Sequence, residues 1–139
     1  MHQCTILHIE DDEADHELFR RDLAKLGFAG QYVRARSFEE AKQLLERGKV
    51  SEDKPDLIVA DSKLGAYDGL DVIEWAKKND RYRETPVVVY STAIAPRQRA
   101  AMIQAGAAAC LIKPIDSQET LVALELILSY VDKKCDRKK

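Results

Sequence analysis

The sequence predicts an α/β fold: a parallel sheet with helices on both faces. Three observations predict it. Apolar runs and amphipathic runs alternate five times along the chain. The apolar runs are nearly continuous, the pattern of parallel strands covered on both sides. Capping signals and glycines separate each run from the next, so the order reads βα repeated five times.

The elements follow in order. "CTILHI" (4–9) is a buried strand that runs into Glu10-Asp11-Asp12. "ADHELFRRDLAKLGF" (14–28) places Phe19, Leu23 and Leu26 at i, i+4 and i+7, with Gly27 as its stop. "QYVRAR" (31–36) alternates and reads as an edge strand. Ser37 and Glu40 form a capping box that opens "FEEAKQLLERGK", stopped by Gly48. After Pro55, "DLIVAD" (56–61) is a second fully buried strand. "DGLDVIEWAKKN" (68–79) is helical, with Leu70, Ile73 and Ala76 on one stripe. "PVVVYS" (86–91) begins with Pro86, which a strand tolerates at its first position. "PRQRAAMIQAG" (96–106) is a helix closed by Gly106, and "ACLI" (109–112) is the last strand. "SQETLVALELILSYV" (117–131) is the last helix, with Asp116 and Glu119 spaced as a capping box. Its Leu121, Leu124 and Leu128 point to the core, and Ile127 and Val131 extend the stripe toward a partner surface.

Bulk properties narrow the function classes. A chain of 139 residues is one domain, with a core at about 5–131 and a basic tail at 132–139. A domain of that size buries roughly 70% of its unfolded surface and needs no staples. A net charge of −2 leaves no footprint for nucleic acid or a membrane. Cys4, Cys110 and Cys135 are far apart, form no metal-binding or disulfide framework, and fit a reducing cytoplasm. The N-terminus runs straight into acids, unlike a signal peptide.

Ligand sites of open parallel sheets lie beyond the carboxyl ends of the strands. The strand ends therefore carry the functional reading. The first delivers Glu10 and Asp11, the third Asp61, the fourth Ser91 and Thr92, and the fifth Lys113 before Pro114. Acids to hold a hard cation, an acceptor carboxylate, a hydroxyl and a lysine make a phosphoryl-transfer set. Three carboxylates carry −3, which one Mg²⁺ and one lysine balance. Read singly, Asp61 is a strand-end acid, Ser91 a backbone-bonded hydroxyl and Lys113 a surface lysine; in register they form a site. Asp12 reads as the cap of the first helix, His8 as a neutral core histidine, His16 as solvent-facing, and Trp75 as a packing residue.

In "HIEDDE", "LIVADSKLGAYDGL", "PVVVYSTA" and "CLIKP" the chain resembles the response-regulator receiver family over residues 5–131. The resemblance implies a flavodoxin-like (βα)5 three-layer sandwich with strand order 2-1-3-4-5. It implies that Asp61 accepts a phosphoryl group from a sensor histidine kinase or a phosphotransfer protein. Asp11 would bind Mg²⁺ (or Mn²⁺) directly and Glu10 through water, with Asp61 and the backbone carbonyl of Lys63 completing the set. Ser91 would be the switch hydroxyl, Lys113 the partner of Asp61 or its phosphate, and the Lys113–Pro114 bond cis. With no output domain in view, the signal leaves through another protein, onward phosphotransfer or homodimerisation.

Two departures from the family stand out. Its usual aromatic, three residues before the lysine, is Cys110 here. Its proline four residues after the acceptor is Gly65, which frees that loop. Lys63, Thr92 and Cys110 are the positions expected to tune the site, with Lys63 shielding the phosphoryl group. Two competing readings are a phosphorylation-independent interaction module and a small Mg²⁺-dependent phosphatase. The second needs a general acid beside Asp61, where Ser62 and Lys63 stand instead.

Overall fold

A computed structural model describes residues 4–47 and 54–131. The sheet strands are numbered in chain order, as are the helices: β1 (Thr5–Ile9), α1 (Glu13–Lys25), β2 (Gln31–Ala35), α2 (Phe38–Glu46), β3 (Leu57–Ala60), α3 (Gly69–Lys78), β4 (Val87–Ser91), α4 (Pro96–Ala105), β5 (Ala109–Ile112) and α5 (Ser117–Leu128). The five strands are all parallel in the order 2-1-3-4-5. The sheet is flavodoxin-like, with β2 at an edge as its alternating sequence indicates.

Period-two alternation splits each strand between two cores. Ile6, Leu57, Val59, Val88 and Tyr90 face α1 and α5. Leu7, Ile9, Ile58, Ala60, Val87 and Val89 face α2, α3 and α4. Most of these side chains are fully buried, each worth about 1.5–3 kcal/mol of apolar transfer. Trp75 packs as expected, stacked on Tyr82 and edge-on to Phe38.

The N-cap residues agree with the sequence, but the Ser37 box closes only one way, because Glu40 accepts from Arg36 N–H at 3.2 Å rather than from Ser37. Asp12, Ser37 and Asp116 each accept backbone N–H bonds at the start of their helices. Gly106 closes α4 with φ +117, the left-handed conformation that favours glycine. A reciprocal box between Asp68 and Asp71 opens α3. Gly48, expected to stop α2, lies outside the described residues.

Several expectations need correction. The stretch after Asp61 is no open loop: Lys63–Leu64 pairs antiparallel with Tyr67–Asp68 in a tight hairpin. Gly65 opens its turn with φ +69, the position where tight hairpins favour glycine. Two-residue strands carry too little periodicity to be read in advance. Ile127 and Val131 are buried against the sheet, while Val122 and Leu126 are exposed, because α5 presents i, i+3, i+4 and i+7 from Leu124 inward. No peptide bond among the described residues is cis, so Lys113–Pro114 is trans. Cys4 is disulfide-bonded, against the expectation that no disulfide forms. Sequence spacing does not show which thiols meet. Cys110 is a free, buried thiol.

Candidate phosphoryl-acceptor site

The sheet ladder continues past the strand ends and fixes the site backbone. Glu10 N–H donates to Ala35 O at 3.0 Å, Asp61 N–H to Ile9 O at 3.3 Å, and Lys113 N–H to Ser91 O at 2.7 Å. Side chains from four strand ends are thereby aimed into one cup. Oxygen atoms of Glu10, Asp11 and Asp61 lie within 4.8 Å of one another.

Lys113 is the hub. Its ammonium donates to Glu10 Oε1 at 2.7 Å and to Asp15 Oδ2 at 3.1 Å, and stands 3.5 Å from Asp61 Oδ2. Its tightest partner is thus Glu10 rather than Asp61. Ser91 Oγ donates to Asp61 Oδ1 at 2.8 Å, and Lys63 N–H reaches the same oxygen at 3.4 Å. The Asp61 carboxylate is held from two sides.

Burial pushes the Glu10 carboxyl up to about 6, although the Lys113 hydrogen bond and charge pull it down. Burial also lowers the Lys113 ammonium, but Glu10, Asp61 and Asp15 outweigh it and the net movement is upward. Lys113 is therefore charged at neutral pH. Negative charge in the cup exceeds what one lysine neutralises, and the donors are hard oxygens. That set fits Mg²⁺ or Mn²⁺ and no soft metal.

Three residues of the site escaped the sequence reading. Asp15 lies in the first turn of α1, three residues past its cap Asp12, and that turn carries it to Lys113; the Asp12 capping signal was the available clue. Ser62 lies buried beside Asp61, with its Oγ 2.6 Å from Ser91 Oγ. Arg34, on β2, donates to Glu10 O at 3.1 Å and Asp11 O at 3.3 Å, and pairs with Glu13. It clamps the acidic loop by its backbone. The pairing of β2 with β1 places Arg34 opposite His8, a register that a single sequence does not supply.

His8 is buried and held well below its usual pKa by burial and by Lys113, so it is neutral as expected. His16 is not solvent-facing. It stacks on Tyr32, whose hydroxyl bonds its Nδ1 at 2.9 Å and His8 Nδ1 at 2.7 Å. A cavity of about 410 Å³ opens beside Lys113, lined in part by Thr92, and rimmed by the exposed apolar Leu18, Ile112 and Ile115. On the sheet's other face, Cys110 accepts a bond from Arg99 at its carbonyl, and burial raises its thiol pKa.

The sequence matches the response regulator receiver domain family over residues 6–125. The chain belongs to that family. The polar-differentiation response regulator DivK of Brucella anthropi is 30% identical over 127 residues, 91% of this chain and 95% of that protein. The receiver fold is shared with the phosphorylated cyanobacterial phytochrome response regulator RcpA (TM-score 0.84, 23% identity, 99% of this chain and 100% of that one). It is shared too with the Mn²⁺-bound response regulator Rcp1 (TM-score 0.81, 24% identity, 98% and 99%). As a receiver, this protein is a phospho-accepting element of two-component signalling. Among the described residues no helix is long and apolar enough to cross a membrane.

Proposed function

We propose that Asp61 is the phospho-acceptor of this receiver and that a sensor histidine kinase or phosphotransfer protein supplies its phosphoryl group. The observation that carries the assignment is the convergence of Ser91 and Lys113 on opposite oxygens of the Asp61 carboxylate. One oxygen attacks phosphorus as the bond to the donor histidine breaks. Ser91 and Lys113 then serve the phosphoryl oxygens, and the charge on Asp61 goes from −1 to about −2. Glu10, Asp11, Asp61 and the backbone carbonyl of Lys63 would hold Mg²⁺ or Mn²⁺, whose contribution is to neutralise charge on the transferring group. Lys63, Thr92 and Cys110 remain the tuning positions. The single domain acts as a switch rather than as an enzyme on other substrates, and its output is a protein contact or a homodimer. Leu18, Ile112 and Ile115 give the incoming phosphohistidine protein an apolar seat beside the cup. A partner of that class is a cytoplasmic protein, and the chain is read as cytoplasmic with it.

The test is mass spectrometry after acetyl phosphate and Mg²⁺. Wild type should gain one phosphoryl group and Asp61→Asn none. Full labelling of Asp61→Asn would remove the assignment, and an unlabelled wild type would favour a phosphorylation-independent module.

A further inference from the structure

Ser62 and Ser91 meet in the buried floor of the site, and their proton inventory is constrained. Each hydroxyl has one hydrogen to give. Ser91 lies 2.8 Å from Asp61 Oδ1 and 3.3 Å from Ala93 O. The carboxylate is charged and closer, so it takes the Ser91 proton. The 2.6 Å contact between the two serines then needs the Ser62 proton. The Ala93 carbonyl also lies 3.3 Å from Ser62 Oγ, an alternative acceptor for either hydroxyl. The result is a directed chain: Ser62 donates to Ser91, and Ser91 donates to Asp61.

We propose that Ser62 is a positioning residue for phosphoryl transfer, acting through Ser91. The inference rests on Asp61 being the acceptor. By donating to a lone pair on Ser91 Oγ, Ser62 fixes that oxygen in place beside the acceptor. In the reaction with acetyl phosphate, an Asp61 oxygen forms a bond to phosphorus while the bond from phosphorus to the acetyl oxygen breaks. Acetate leaves with the electron pair, and no proton is transferred. Ser91 keeps its O–H and needs only to swing it from Oδ1 to a phosphoryl oxygen. With Ser62 in place the swing starts from the correct rotamer. Without it, Ser91 still donates to Asp61, but its oxygen loses a buried donor and is free to drift from the position the swing needs. Both serines are nearly inaccessible to water, so solvent does not replace the missing donor.

The experiment measures the rate of labelling by acetyl phosphate and Mg²⁺ in wild type, Ser62→Ala, Ser91→Ala and the double variant. Ser62→Ala should slow labelling about fivefold, the effect of one neutral hydrogen bond. In the Ser91→Ala background the same change should have no further effect, because the hydroxyl it positions is gone. A merely structural Ser62 would slow both backgrounds alike, and that result overturns the inference. So does an unchanged rate for Ser62→Ala. Wild type that takes no label would instead sink the acceptor assignment, which keeps the two failures apart.

Discussion

Replacing Lys113 with methionine keeps the apolar stem and deletes the charge. The side chain is 14% exposed and bonds a Glu10 carboxylate that is 1% exposed, so the pair is buried. Removing one partner of a buried ion pair costs about 3–5 kcal/mol, because the other charge is left uncompensated. The lower figure applies here, since Glu10 already titrates near 6 and escapes by taking up a proton. The pH dependence carries the sharper expectation. In wild type, Glu10 rises from 4.5 to about 6 on folding, so the folded state binds the extra proton. Stability therefore falls as pH rises through that window, by about 2 kcal/mol at 1.36 kcal/mol per pH unit. Without Lys113, the folded value climbs further and the fall continues past pH 6. Lys113 itself is raised by its partners and stays charged in both measurements. Urea denaturation of Lys113→Met should thus show a deficit of about 3 kcal/mol at pH 8. At pH 5, where only the more exposed Asp15 and Asp61 pairs remain, it should shrink to about 1 kcal/mol or less. An equal deficit at both pH values would refute the reasoning, because the cost would then not come from the Glu10 charge left uncompensated.

Two further outcomes are expected. Lys63→Ala should shorten the lifetime of the phosphorylated form by a few-fold, read as the decay of the mass-labelled species after donor removal; equal decay rates would mean that the exposed cation does not shield the acyl phosphate. Tyr32→Phe strips the hydroxyl from buried His8 Nδ1, so urea denaturation at pH 7 should show a loss of about 1–3 kcal/mol, and an unchanged midpoint would mean that another donor or acceptor serves the ring.

Much of the fold was legible because its signals are strong and local. The continuous runs of β1, β3 and β4 carry no polar face and admit only a covered strand. Asp12, Ser37 and Gly106 are caps whose chemistry is written in one residue. The site was legible through strand ends, since a parallel sheet gathers them on one rim whatever their separation in sequence. What stayed hidden depended on geometry that composition does not encode. Asp15 reaches Lys113 only because α1 crosses that rim, and Arg34 meets the acidic loop only through the pairing of β2 with β1. The inward turn of Ile127 and Val131 was misread because α5 is apolar on more than one side. Its phase is set by the sheet beneath, not by its own pattern.

Arg34 grips the acidic loop through carbonyl oxygens and projects from β2, a strand paired on one flank only. The rigidity of the candidate cation cup is thereby lent to it by an outer strand of the sheet. Warming loosens outer strands before inner ones. It follows that the protein should lose its grip on a divalent ion some degrees before it melts, so heat would quiet the receiver while most of its core is still intact.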